Sequence, residues 1–385
     1  MLTRRTFVLA GGTAILASGM GTSMAFARAA TARRFVFIIQ RGAADGLSTV
    51  APTGDPAFAR QRGVLAQDFD GSARRLDGMF ALHPALERVG GLYAANQALF
   101  VHAVASPYRD RSHFDGQNVL ETGGKAAYAV KDGWMNRLLT LLPSDEARAI
   151  ALAATVPMAL RGGVEVASYA PSALPDASDD LLARVSDLYR DDPMLHAAWE
   201  QAMATRSLTG DLTADNGRNA AANGALAAKL LAPENGARIA MIETGGWDTH
   251  AGQRGRLAAQ LRGLDAMVDA LRTGMGPLWD DTLVLVATEF GRTVKINGTQ
   301  GTDHGTASAA MLLGGAVNGG RVVADWPGLG DAALFEGRDL KPTLSLHTVI
   351  GSALSQHFGV DQPRVMQALF PVTPDARRID DLMRT

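Results

Sequence analysis

The chain contains no cysteine. Disulfides, thiolate metal sites and cysteine nucleophiles are therefore excluded together, and any transition-metal site has to be built from histidine and carboxylate. Charge of one sign is also lacking, since 37 Lys+Arg stand against 39 Asp+Glu for a formal charge of −2, with no block of like charge elsewhere. No basic field speaks for nucleic acid, and no nucleic-acid partner is expected. Internal repeats are absent. The early apolar run Val8 to Ala17 is interrupted by Gly11 and Gly12 and is too short to span a bilayer well.

What is present is a globular composition. A chain of 385 residues at 47% hydrophobic content can bury a large core, as one large α/β domain or roughly two domains. Residues 1–27 read as an address. Arg4 and Arg5, followed by Thr6-Phe7-Val8, form a twin-arginine pattern ahead of the apolar run, and Met24-Ala25-Phe26-Ala27 ends in the small-x-small pattern of a cleavage site. A cleaved twin-arginine signal peptide is expected, leaving a mature domain over 28–385. The expected location is periplasmic or secreted, with the export machinery as a partner and no stable membrane span after cleavage. That route usually carries proteins that fold before crossing, often around a cofactor, which favours a metal.

Six apolar stretches have strand length: Arg34–Gln40, Ala98–Val104, Ala149–Ala154, Ala237–Glu243, Leu283–Ala287 and Ala309–Leu313. Helical spacing recurs after His83, from Gly133 to Leu142, through Leu257, Leu261, Leu264, Val268 and Leu271, and over Ser345–His357 and Gln362–Leu369. Strands that are apolar throughout and separated by amphipathic helices predict an α/β fold, a largely parallel central sheet between helices. The Ala-rich stretch of about 176–232 reads as an inserted helical cap.

The chemistry gathers where strands end. Asp45, Asp248 and Glu289 each follow an apolar strand, His250 and Asp303-His304 lie close by, and Ser112-His113 follows a fourth strand. Carboxylates with imidazoles at the carboxyl edge of a parallel sheet suit zinc, manganese or iron, and the carboxylate excess also admits magnesium or calcium. Each residue has a plainer reading. Asp45 beside Gly46 fits a turn, Asp248 fits the N-cap of the following helix, Glu289 fits a pair with Arg292, and His304 fits a structural histidine. Ser112, with Asp115 three residues on, fits a helix cap. His83, His102, His196, His347 and His357 are assigned to structure. Trp134, Trp247, Trp279 and Trp326 could stack sugars, but core packing is the better use of them.

Together, Ser112-His113-Phe114, Gly246-Trp-Asp-Thr-His250, Thr288-Glu-Phe-Gly-Arg292 and Gly301-Thr-Asp-His-Gly305 resemble the exported bacterial family called domain of unknown function 1501. That family is similar to the alkaline phosphatase superfamily, with its sulfatases and cofactor-independent phosphoglycerate mutases. The resemblance implies an alkaline-phosphatase-like fold and one or two divalent metals held by Asp45, Asp248, His250, Glu289 and His304, with Asp303 or His113 as a further ligand. It places Ser106–Gly123 as the nucleophile segment, ending in Glu121-Thr122-Gly123. Phe290 departs from the pattern, standing where the superfamily has an imidazole.

The function implied is a metal-dependent hydrolase of phosphate or sulfate esters acting on a small-molecule or polymer ester. Ser112, His113 or water would serve in attack, and Arg292 or Arg111 would steady the oxyanion. The alternative is an exported binding or assembly protein that keeps the scaffold without turnover.

Overall fold

The structure, a computed structural model, describes residues 33–71, 73–143, 147–170, 179–209, 220–373 and 377–384. The leader expected over 1–27 lies outside the described residues. No helix among those described is long and apolar enough to cross a membrane.

The main sheet uses nine strands: β1 (Arg34–Gln40), β2 (Ala98–Ala105), β3 (Ala149–Leu152), β4 (Ala167–Ser168), β5 (Ile239–Thr244), β6 (Thr282–Thr288), β7 (Ser308–Leu313), β8 (Arg321–Val323) and β9 (Leu344–Ser345). Their order is β8-β2-β7-β6-β1-β5-β3-β4, with β9 also against β2. All pairings are parallel except those of β7, which runs antiparallel to both β2 and β6. The sheet is thus mixed but mostly parallel. A second sheet of three short strands, Val50–Ala51, Arg74–Arg75 and Ala81–Leu82, stands apart.

Both faces of the sheet are covered, which is why the strands read as unbroken apolar runs. Phe35, Phe37 and Ile39 of β1 face a layer containing α3 (Trp134–Leu139), α8 (Leu346–Phe358) and α9 (Gln362–Leu369). Val36 and Ile38 face the other layer, which holds α1 (Glu87–Ala94), α6 (Ala220–Leu231) and α7 (Gln253–Met275). The predicted stripe of α7, from Leu257 to Leu271, is buried in this layer. Trp134, Trp247 and Trp279 lie in these cores, and half-buried Trp326 packs edge-on against Phe80 and His102.

The 176–232 stretch divides. α4 (Asp179–Tyr189) and α5 (Pro193–Thr209) pack against each other and expose Leu188 and Met194. α6 instead buries Leu226, Leu230 and Leu231 against α7 and the sheet, so it belongs to the sandwich rather than to a cap.

Register aligns the working edge. Gln40 at the end of β1 sits opposite Thr244 on one side and Thr288 on the other, so three connections leave together. Val104 near the end of β2 pairs with Ser308 at the start of β7. The segments after β2 and before β7 therefore open on that same edge.

Candidate metal centre

His113 is the first residue of α2 (His113–Thr122), on the connection from β2. Ser112 sits at the N-cap in extended conformation, but its side chain makes no capping hydrogen bond, and its N–H donates to the Tyr108 hydroxyl at 3.1 Å. Asp248 and His250 lie between β5 and α7. That helix begins only at Gln253, with left-handed Gly252 at its cap, so Asp248 is not a helix cap and its carboxylate is free for other work. His304 comes from the long β6–β7 connection.

These side chains converge. One ligand atom each from His113, Asp248 and His304 falls within 4.8 Å of the others. Asp248 Oδ2 is 3.5 Å from His113 Nε2, and its Oδ1 is 3.4 Å from His304 Nε2 and 3.0 Å from His250 Nε2. His250 Nε2 and His304 Nε2 approach to 3.0 Å.

The opposite ring nitrogens explain what the cluster wants. His113 Nδ1 meets Glu289 Oε1 at 2.8 Å, His250 Nδ1 meets Asp303 Oδ1 at 3.2 Å, and His304 Nδ1 meets the Arg111 carbonyl at 2.9 Å. Each partner only accepts, so each Nδ1 carries a proton and, in the neutral imidazole, each Nε2 presents a lone pair. His113 Nε2 is buried with no hydrogen-bond partner. With the imidazoles neutral, three lone pairs and a carboxylate facing one another repel unless a proton or a metal cation lies between them, and this donor set fits a metal cation. Imidazoles held at the far nitrogen by carboxylate or carbonyl are the usual outer shell of a metal site. Nitrogen-rich ligation favours zinc or a neighbouring transition metal over magnesium or calcium.

Electrostatics agree with the geometry. The hydrogen bond to Glu289 raises His113 above its ordinary pKa, while burial and the charge of His113 hold His304 below its own. Burial opposes ionisation of Asp248 and Glu289, yet both lie below the usual carboxylate range. Arg292 outweighs burial at Asp248, and hydrogen bonds led by His113 outweigh it at Glu289.

Several expected ligands sit elsewhere. Asp45 is buried at the N-cap of the turn Gly46–Thr49; Oδ1 accepts from Leu47 N–H at 3.0 Å, and Oδ2 is taken by Arg62 and Gln253. With both oxygens engaged, Asp45 braces the fold, and among the described residues it joins no group of potential metal ligands. Glu289, fully buried, stands one shell behind His113. Its Oε1 also accepts from Gly42 N–H at 2.8 Å and Gln117 at 3.1 Å. Asp303 stands likewise behind His250.

The two arginines expected at the oxyanion are committed too. Arg292 is buried, donating to the carbonyls of Ala43 and Gly42 at 2.8 Å and Thr302 at 2.9 Å, and to Asp248 Oδ1. It positions Asp248 and staples three loops. Arg111 spends its guanidinium on Asp339 and Glu336, and its left-handed backbone (φ 59°) turns its carbonyl onto His304. Phe290 stacks on His113 with ring centroids 5.1 Å apart, so position 290 supports an imidazole from another segment.

Sequence reasoning overlooked Gln253 and Arg62. Gln253 Oε1 accepts from Thr249 at 3.1 Å and Thr302 at 2.6 Å, tying the loops beside Asp248 and His304 to the Asp45–Arg62 pair. A polar residue on the buried stripe of α7 was the one available signal.

A mostly parallel α/β fold with a histidine–aspartate centre at the carboxyl edge of its sheet defines the class. The chain belongs to the family described as protein of unknown function (DUF1501), whose profile matches residues 32–370. No curated protein matches the chain. Among solved structures it is similar to the C-terminal periplasmic domain of EcEptC from Escherichia coli in complex with zinc, at 9% identity, TM-score 0.34, covering 73% of this chain and 72% of that one. It is also similar to a mutant of TAB5 alkaline phosphatase with magnesium bound, at 12% identity, TM-score 0.37 and coverage of 76% and 93%. A third is the phosphonate monoester hydrolase of Agrobacterium radiobacter, at 10%, TM-score 0.33 and coverage of 76% and 70%.

Proposed function

We propose that the protein is an exported metal-dependent hydrolase of phosphate or sulfate esters, with His113, Asp248, His250 and His304 holding a single divalent cation, zinc by preference. The observation that supports this is the set of three imidazoles, each pinned at Nδ1, whose free Nε2 atoms face Asp248. A bound divalent cation supplies Lewis acidity and charge for a tetrahedral ester.

The chain's own residues do the rest. Glu289, Asp303 and the Arg111 carbonyl fix the imidazole tautomers, and Arg292 fixes Asp248. Asp248 and His250 are each close to half exposed, which leaves the centre open to substrate. Ser112 adjoins His113 with its hydroxyl uncommitted to a cap and is the candidate nucleophile.

The test joins elemental analysis to a screen of generic phospho- and sulfo-esters on metal-loaded protein. One ion per chain and turnover of one ester class are expected, both lost in His304→Ala. A wild type that holds no ion after incubation with zinc refutes the centre. A second reading, a binding protein that retains an ion without turnover, is favoured by the saturation of Arg292 and Arg111, and a full complement of metal with no hydrolysis would select it.

A further inference from the structure

Beside the centre, a cleft of about 400 Å³ is lined by residues including Lys295, Ile296, Asn297, Asp303 and Arg338. A second, of about 350 Å³, is lined by Arg60, Gln61, Lys295, Ile296 and Asp331. Lys295 and Ile296 line both, so the two adjoin. The groove starts at Asp303, which holds His250, and runs out to Arg60.

Asp303 bonds to His250 and Asn297, and Asp331 bonds to Gln61 and pairs with Lys295. Arg60 is exposed and forms no ion pair among the described residues. Lys295 is 60% exposed, and its pair with Asp331 is the kind of surface contact worth about 0–1 kcal/mol, which a stronger anion displaces. Arg338, 43% exposed, is already engaged, donating to the His304 carbonyl at 2.8 Å and pairing with buried Asp339 at 3.2 Å. A simple monoester has one anionic group, and the cation at the centre takes it. Arg60 and Lys295 have no use for such a substrate.

We infer that this groove holds a polyanionic chain, a polymer bearing sulfate or phosphate groups at intervals, and presents one of those groups to the metal centre. The inference rests on the hydrolase reading and names its substrate class. The probes are dextran sulfate and inorganic polyphosphate, with uncharged dextran as the neutral arm, bound to zinc-loaded protein over a salt series. The arm bound more tightly identifies the ester.

Replacing Arg60 and Lys295 together by alanine is expected to weaken binding of the charged polymer about tenfold at low salt and to reduce the salt slope by about two. Arg364→Ala, a cation on α9, should leave binding unchanged. Equal binding by the double variant and wild type, an equal loss in Arg364→Ala, or no binding of either charged polymer overturns the inference. The two readings fail separately. Polyanion binding through Arg60 and Lys295 without ester turnover keeps the groove and removes the hydrolase, whereas turnover of small esters with no polyanion binding removes the groove alone.

Discussion

Glu289→Gln isolates the outer shell of the centre. The carboxylate is fully buried; Oε1 accepts from His113, Gly42 and Gln117, and Oε2 is 3.0 Å from Thr288 Oγ1. Glutamine keeps the shape. Its amide oxygen can still accept from His113 and Gly42, and its NH₂ can donate to Thr288 Oγ1, whose own proton then goes to the Gln40 carbonyl at 2.8 Å. The fold should therefore lose only about 1 kcal/mol. What disappears is the negative charge behind His113, and with it roughly half the strength of the Nδ1 hydrogen bond. Removing such an outer-shell partner typically weakens metal affinity by about 10- to 100-fold, or about 1.4–2.7 kcal/mol. Competition against a zinc-chelating dye measures the affinity, and a melt at saturating zinc controls for the fold. A dissociation constant within about twofold of wild type, in a protein that melts normally, would refute the assignment of Glu289 as the group that orients a metal-binding imidazole.

Asp45→Asn makes the opposite prediction, because Arg62 is wholly buried and loses its counter-charge. Stability should fall by about 3–5 kcal/mol in denaturant titration while metal stoichiometry is kept, and loss of the ion at unchanged stability would restore Asp45 to the ligands. Asp248→Asn should bind zinc more weakly by more than Glu289→Gln does, since it removes the charge that all three Nε2 atoms face; calorimetry ranks the two. Acid should weaken the fold through buried histidines. Burial holds His102 and His347 down to about 4 and His357 down to about 3. The unfolded chain then binds more protons below the ordinary value near 6.5, so stability is complete above that pH and falls as pH drops toward 4, by roughly 3 kcal/mol per histidine. His357→Gln, able to keep the bond to the Arg34 carbonyl, should flatten this acid limb, and an unchanged slope would count against it.

The strands were legible because burial on both faces writes an unbroken apolar run, as in Thr282–Thr288, and a run of that length has few other uses. The edge was legible for the same reason. Strands that stop at polar clusters and lie parallel put those clusters together, which is how Asp248, His250 and His304 could be grouped from sequence. What sequence does not carry is depth within the cluster. Asp45, Glu289 and Asp303 all follow strands or lie in their loops, and their identities alone do not tell a ligand from the residue that steadies one. The difference is decided by what stands opposite each oxygen. For Asp45 that is Arg62, delivered by the short helix Phe58–Arg62, whose sequence Phe-Ala-Arg-Gln-Arg looks like surface; its guanidinium is nonetheless fully buried, held by the Thr293 and Val294 carbonyls as well as by Asp45. A fixed positive charge there neutralises a carboxylate that the strand-end pattern had offered as a ligand. One arginine, hidden in an excursion after the first strand, therefore takes Asp45 out of the converging group, and it places the charge that the chain keeps permanently where the strand-end pattern alone suggested an exchangeable one.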